Sequence, residues 1–195
     1  MKYEKKPISK ILRSNNTVFT FKDISLIWGN TDKKATISAI NYYIKTGNLY
    51  RIRRGFYAKD ENYDKLELTT KIYTPSYVSF ETVLTKAGIV FQYYGQIFAA
   101  SYLTREIVAD GQKYSYKKIK DTILTNHVGL EDKENYSIAS LERAFLDIIY
   151  LYKDYHFDNF SPLKWDKVFE ILPIYGGNKR MERKVKQYYE AAEKG

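Results

Sequence analysis

The run Arg51-Ile52-Arg53-Arg54-Gly55 sets three guanidinium groups beside a glycine. Guanidinium takes phosphate through paired hydrogen bonds and is drawn into narrow minor grooves. Just upstream, Lys34, Ala35, Ser38, Tyr42 and Lys45 recur at helical spacing on one face, with Asn41 on its flank. Such side chains suit a major groove: Ser and Asn read base edges, Ala touches a thymine methyl, and Lys takes phosphate or guanine. The chemistry on offer is nucleic-acid contact. Lys34, Ser38, Asn41 and Tyr42 are the candidates for bases, and Lys33, Lys45, Arg51, Arg53 and Arg54 for phosphates. The competing reading is an ordinary solvated basic face.

Charge placement favours a partner. Residues 1–59 hold thirteen of the 32 Lys and Arg but three of the 23 acids, a net of +10. Residues 60–195 hold nineteen cations against twenty acids, a net of −1. A basic surplus confined to one segment points to duplex DNA, because phosphate neutralisation with counterion release is strong and independent of sequence.

The elements that must position these groups follow from local signals. A first helix is predicted over residues 8–13, closed by Asn15-Asn16. Thr20 with Asp23 three residues on is a capping-box signal for a second helix, stopped by Gly29-Asn30. A third runs from Thr31 or Asp32 to Thr46, with Gly47 as its C-cap and Ile37, Ile40 and Ile44 as its predicted buried face. Residues 49–53 and 56–59 read as two short strands with Arg54-Gly55 at their turn. A helix-turn-helix followed by a basic hairpin is the winged-helix pattern. The polar run Asp60-Glu61-Asn62-Tyr63-Asp64 reads as a linker.

The second unit is mixed. Ser79 with Thr82 predicts the start of a helix through Ala87. Residues 97–103 and 106–119 have strand composition around Asp110-Gly111, and residues 121–138 predict another strand pair around Gly129. Ser140 caps a helix through Tyr152, and two more helices are predicted over residues 162–172 and 178–192. The expected fold is therefore α+β: a winged helix-turn-helix over residues 1–62 and a mixed α/β domain over 63–195.

Other chemistry has little support. The absence of cysteine excludes disulfides and thiol catalysis. His127 and His156 lack companions at ligand spacing, so no metal or cofactor is expected. No phosphate-binding glycine loop and no nucleophile elbow is present, and the chain is not expected to be an enzyme. Met1–Pro7 is not a signal peptide, and the most apolar stretch, 141–152, is too short and too charged to span a bilayer. A cytoplasmic protein with no membrane partner is expected. Arg143 and Asp147 form an i,i+4 pair, read as an ion pair fixing their helix to the sheet, the rival being a site for a phosphate or a toxin. Lys179, Arg180, Arg183, Lys184 and Lys186 make a possible second basic surface, or else a solvated cationic helix.

Three segments together resemble one family. They are Arg51-Ile52-Arg53-Arg54-Gly55-Phe56-Tyr57, then Pro75–Leu84 with Gly88-Ile89, then Ser137–Asp147. Their types and order are similar to those of AbiEi-type antitoxins, the regulator half of type IV toxin–antitoxin systems of phage defence by abortive infection. The resemblance implies an N-terminal winged helix that binds inverted repeats, several copies to an operator, and represses its own operon. It also implies an antitoxin C-terminal domain that counters a nucleotidyltransferase toxin without a stable complex. Two other readings stay open: a toxin-independent winged-helix regulator whose C-terminal domain senses a ligand or mediates association, and a nuclease steered by the winged helix.

Overall fold

A computed structural model describes residues 8–193, so Met1–Pro7 and its cations Lys2, Lys5 and Lys6 lie outside the described residues. The chain begins with α1 (Ser9–Leu12), β1 (Val18–Thr20), α2 (Phe21–Ile27), α3 (Lys33–Lys45), β2 (Tyr50–Arg53) and β3 (Phe56–Ala58). Local chemistry sets these boundaries. Thr20 and Asp23 close a full capping box at the start of α2. The Asp32 carboxylate accepts from the Lys34 and Ala35 N–H groups at the start of α3. At its end Gly47 takes φ +72°. That conformation lets the Asn48 and Gly47 N–H groups reach the Tyr43 and Ile44 carbonyls, which closes the last turn.

The buried stripe of α3 is rotated from the expected one. Thr36, Ile40 and Tyr43 are buried, and Ile37 is 41% exposed. Thr36 can be buried because its hydroxyl donates to the Asp32 carbonyl and accepts from Asn30 Nδ2. Tyr43 packs its ring 5.8 Å from Trp28. Two satisfied polar side chains thus displace an isoleucine.

The three strands pair antiparallel in the order β1-β3-β2, and β1 was not foreseen. One face of this small sheet, with Phe19 and Tyr57, packs on the helices. The other, with Val18, Ile52 and Ala58, packs on the second half of the chain.

That half contains α4 (Lys65–Ile72), β4 (Ser76–Val78), α5 (Glu81–Lys86), β5 (Gln96–Ser101), β6 (Arg105–Ala109), β7 (Gln112–Lys118), α6 (Asp121–Leu124), β8 (Leu130–Asp132), β9 (Ser137–Ala139), α7 (Leu141–Leu151), α8 (Trp165–Ile171) and α9 (Lys179–Ala192). A 3-10 turn, Leu172–Tyr175, follows α8. The strands form a mixed sheet in the order β6-β7-β5-β4-β9-β8, parallel at β5/β7 and β4/β9. On one side α5, α7, α8 and α9 bury Phe98, Phe145, Ile148, Val168 and Val185, with Trp165 at the margin. On the other, Ala99, Tyr114 and Tyr116 meet the small sheet. The architecture is α+β, as expected.

Several local expectations are corrected. The stretch 60–64, read as a linker, is anchored at its end. Tyr63 is buried, and the Asp64 N–H donates to the Thr17 hydroxyl. Ser79 does not cap α5. That position falls to Phe80, at φ +57°, while the Ser79 hydroxyl donates to Asp147. The pair β8/β9 turns at residues 133–136, not at Gly129, and 121–124 is helical.

Gly129 has another task. It lies at φ +74°, and an added Cβ would sit 2.8 Å from Ile171 Cδ1 and 3.0 Å from Arg143 Cβ. Gly129→Ala is expected to cost about 1–3 kcal/mol through overpacking and backbone strain. A urea midpoint equal to that of the parent chain would contradict this.

Candidate nucleic-acid interface

The capped frame of α3 presents Lys33, Lys34, Ile37, Ser38, Asn41, Tyr42 and Lys45 to solvent. The six polar residues expected on this face are therefore together, and Ile37 joins them. An exposed isoleucine among groups expected to read bases is of a kind that could meet a thymine methyl. Tyr42 is held by an edge contact to Tyr43, with ring centroids 5.3 Å apart.

The hairpin arginines do not form one strip. In a regular strand Arg51 and Arg53 would share a face. A bulge intervenes: Arg51 pairs with Tyr57 and Arg53 with Phe56. Arg51 therefore points to the helix side, where its Nη2 donates to Asn41 Oδ1 at 2.7 Å. Arg53 points to the other side, with its guanidinium 5.9 Å from the Phe56 ring centre. Arg54 is exposed at the turn. The Arg51–Asn41 bond ties the hairpin to α3, so a group expected to read a base and one expected to hold phosphate form one unit.

Two of the five cations of the possible second basic surface have partners within the fold. Arg180 donates to the Ile149, Tyr150 and Tyr152 carbonyls, closing the C-terminal end of α7. Lys184 Nζ lies 2.8 Å from an Asp154 carboxylate oxygen. Lys179, Arg183 and Lys186 remain exposed, and Lys186 Nζ lies 4.0 Å from Glu190. This helix carries a structural cap and a reduced cationic edge.

The pair Arg143–Asp147 is wholly buried, with Nε 3.4 Å from Oδ1. The guanidinium also donates to the Val128 and Ile123 carbonyls and to the Tyr77 hydroxyl. The carboxylate accepts from Ser79 at 2.7 Å, Tyr175 at 2.7 Å and Tyr77 at 3.0 Å. Burial pushes the Asp147 carboxyl up, against the pull of Arg143 and the three hydroxyls. Burial likewise holds Tyr77 and Tyr175 protonated. The cluster pins α7 to β4, to the 123–128 segment and to the 3-10 turn, as an internal tie.

Sequence reading missed the contacts that orient the basic unit. Asp110, in the β6/β7 turn, accepts from Tyr50 at 2.8 Å and Tyr63 at 3.0 Å. This hydrogen bond, more than burial, raises the Tyr50 pKa. Glu67 accepts from the Thr17 N–H and hydroxyl, and Lys71 lies 3.0 Å from Glu67 and donates to the Val18 carbonyl. Asp110-Gly111 carried a turn signal and nothing more, because both partners lie far away in sequence.

His127 and His156 are apart, and His156 lies 3.5 Å from Asp158. Among the described residues no group of three or more acids and histidines is placed to hold a metal ion. Among them too, no helix is long and apolar enough to cross a membrane. No protein-family model and no curated protein matches the chain.

Proposed function

We propose that the protein is a duplex-DNA-binding regulator that contacts its operator through residues 8–62. One observation carries the reading: the exposed face of α3 holds Lys33, Lys34, Ser38, Asn41, Tyr42 and Lys45 and is tied by Arg51 to a hairpin with Arg54 at its tip. The element order α1-β1-α2-α3-β2-β3 supports a winged helix, with α3 as the reading helix and β2/β3 as the wing. The +10 surplus of residues 1–59 supports an anionic partner.

Binding to promoter duplexes across a salt series tests this. Arg54→Ala should weaken all sequences alike and lower the salt slope by about one. Ser38→Ala should cost about 1–3 kcal/mol at one base position. A change in base preference with an unaltered salt slope for Arg54→Ala would overturn the assignment of roles.

The resemblance to AbiEi-type antitoxins supports autorepression at inverted repeats by several copies, with the second domain countering a nucleotidyltransferase toxin. Co-expression of the full chain, and of a Lys34→Ala/Arg54→Ala variant, with such a toxin separates the two activities. Rescue by both would place antitoxin activity outside the DNA contact. Rescue by neither, with operator binding intact in the parent chain, would leave a regulator alone.

A further inference from the structure

A cavity of about 320 Å³ lies between α5, the 91–95 loop and the starts of β5 and β7. It is at the small end of the range for ligand sites, about 300–1,000 Å³. Tyr93, Tyr94 and Phe98 give it aromatic walls. Tyr93 is 85% exposed, whereas Tyr94 is set edge-on to Phe98 at 5.5 Å. The loop that carries the tyrosines is fixed in place: Asp158 accepts from the Phe91 N–H at 2.8 Å and donates its own N–H to the Ile89 carbonyl.

Glu81 borders the same cavity and is 6% exposed. Its Oε1 accepts from Tyr155, but its Oε2 has no hydrogen-bond partner among the described residues. Burial is the largest influence on this carboxyl and raises its pKa. A buried acceptor without a donor is unfavourable, and a turn of the Glu81 side chain toward the cavity would offer it to a ligand N–H. Gln112, also on the wall, donates Nε2 to the Gly95 and Lys113 carbonyls, which leaves Oε1 as an unspent acceptor. Lys86 stands exposed at the rim.

Flat aromatic walls, a buried acceptor, an amide acceptor and a rim cation suit a flat heteroaromatic ring with amino donors and an attached anion. We infer that this cavity binds a free nucleotide, with the base against Tyr93, its amino group on Glu81 and its phosphate on Lys86. The site lies in the second half of the chain and does not rest on the DNA reading.

Calorimetric titration of the full chain with AMP, GMP, CMP and UMP, in the absence of DNA, tests it. At least one of AMP, GMP and CMP, whose bases carry an amino group, should saturate, and UMP, whose base has none, should bind more weakly. Tyr93→Ala, at an exposed position, should weaken the saturating nucleotide about tenfold through lost stacking. Glu81→Gln should weaken it comparably through loss of a charge-assisted bond. Lys86→Ala should weaken the nucleotide and spare the matching nucleoside. Failure of AMP, GMP and CMP alike to saturate would overturn the proposal. So would parental affinity in both Tyr93→Ala and Glu81→Gln, or an equal loss of nucleotide and nucleoside in Lys86→Ala.

Discussion

Asp147→Ala is expected to cost about 3–5 kcal/mol, because it strands a buried guanidinium. Arg143 has no exposed surface, so water cannot replace the lost carboxylate. The hydroxyls of Ser79 and Tyr175, which lie 2.7 Å from that carboxylate, lose their acceptor in the same step. A loss of this size is comparable to the whole stability of a marginal domain, about 5–15 kcal/mol. The readout is the urea midpoint, or the soluble yield where the variant does not fold. Arg143→Met combined with Asp147→Leu should recover part of the loss, since no charge is then stranded while the hydroxyls stay unpaired. A single Asp147→Ala variant within about 1 kcal/mol of the parent would show that the pair adds little.

Cutting the chain after Asn62 should leave residues 1–62 without a cooperative fold. The underside of the small sheet, with Val18, Ile52 and Ala58, is buried only against Tyr63, Leu68, Ala99, Tyr114 and Tyr116 and their neighbours. The fragment would also lose Glu67 as the acceptor for Thr17, and Asp110 as the acceptor for Tyr50. Exposing such a face removes about 25 cal/mol of stabilisation for each Å² of apolar surface. Scanning calorimetry should give a single transition for the full chain and none for the fragment. Two separate transitions in the full chain, or a sharp melt in the fragment, would show that the halves fold on their own.

Much of the secondary structure was legible, because short-range signals mark it. Thr20 with Asp23, Asp32, Ser140 and Asn178 each cap the helix that follows. The Arg143–Asp147 tie was legible for the same reason, since one helix turn separates the two. The short β1 was not, because its last residue, Thr20, is also the cap of α2. Nor was the stripe of α3, where burial of Thr36 depends on a hydrogen bond from Asn30 rather than on hydrophobicity. Arg180 read as part of a cationic face because the carbonyls it caps belong to another helix. The basic face of α3 was legible from spacing alone. The split of Arg51 from Arg53 was not, because a bulge leaves no mark in composition.

The chain has two tryptophans, one on each side of the core shared by the two sheets and none within it. Trp28 lies among the N-terminal helices, and Trp165 packs at the margin of the helical layer over the large sheet. The molecule therefore carries its own pair of emission probes. With Trp28→Phe the remaining emission follows the helical layer, and with Trp165→Phe it follows the N-terminal helices. Coincident denaturation curves from the two variants would report the shared core optically, without any dye or label.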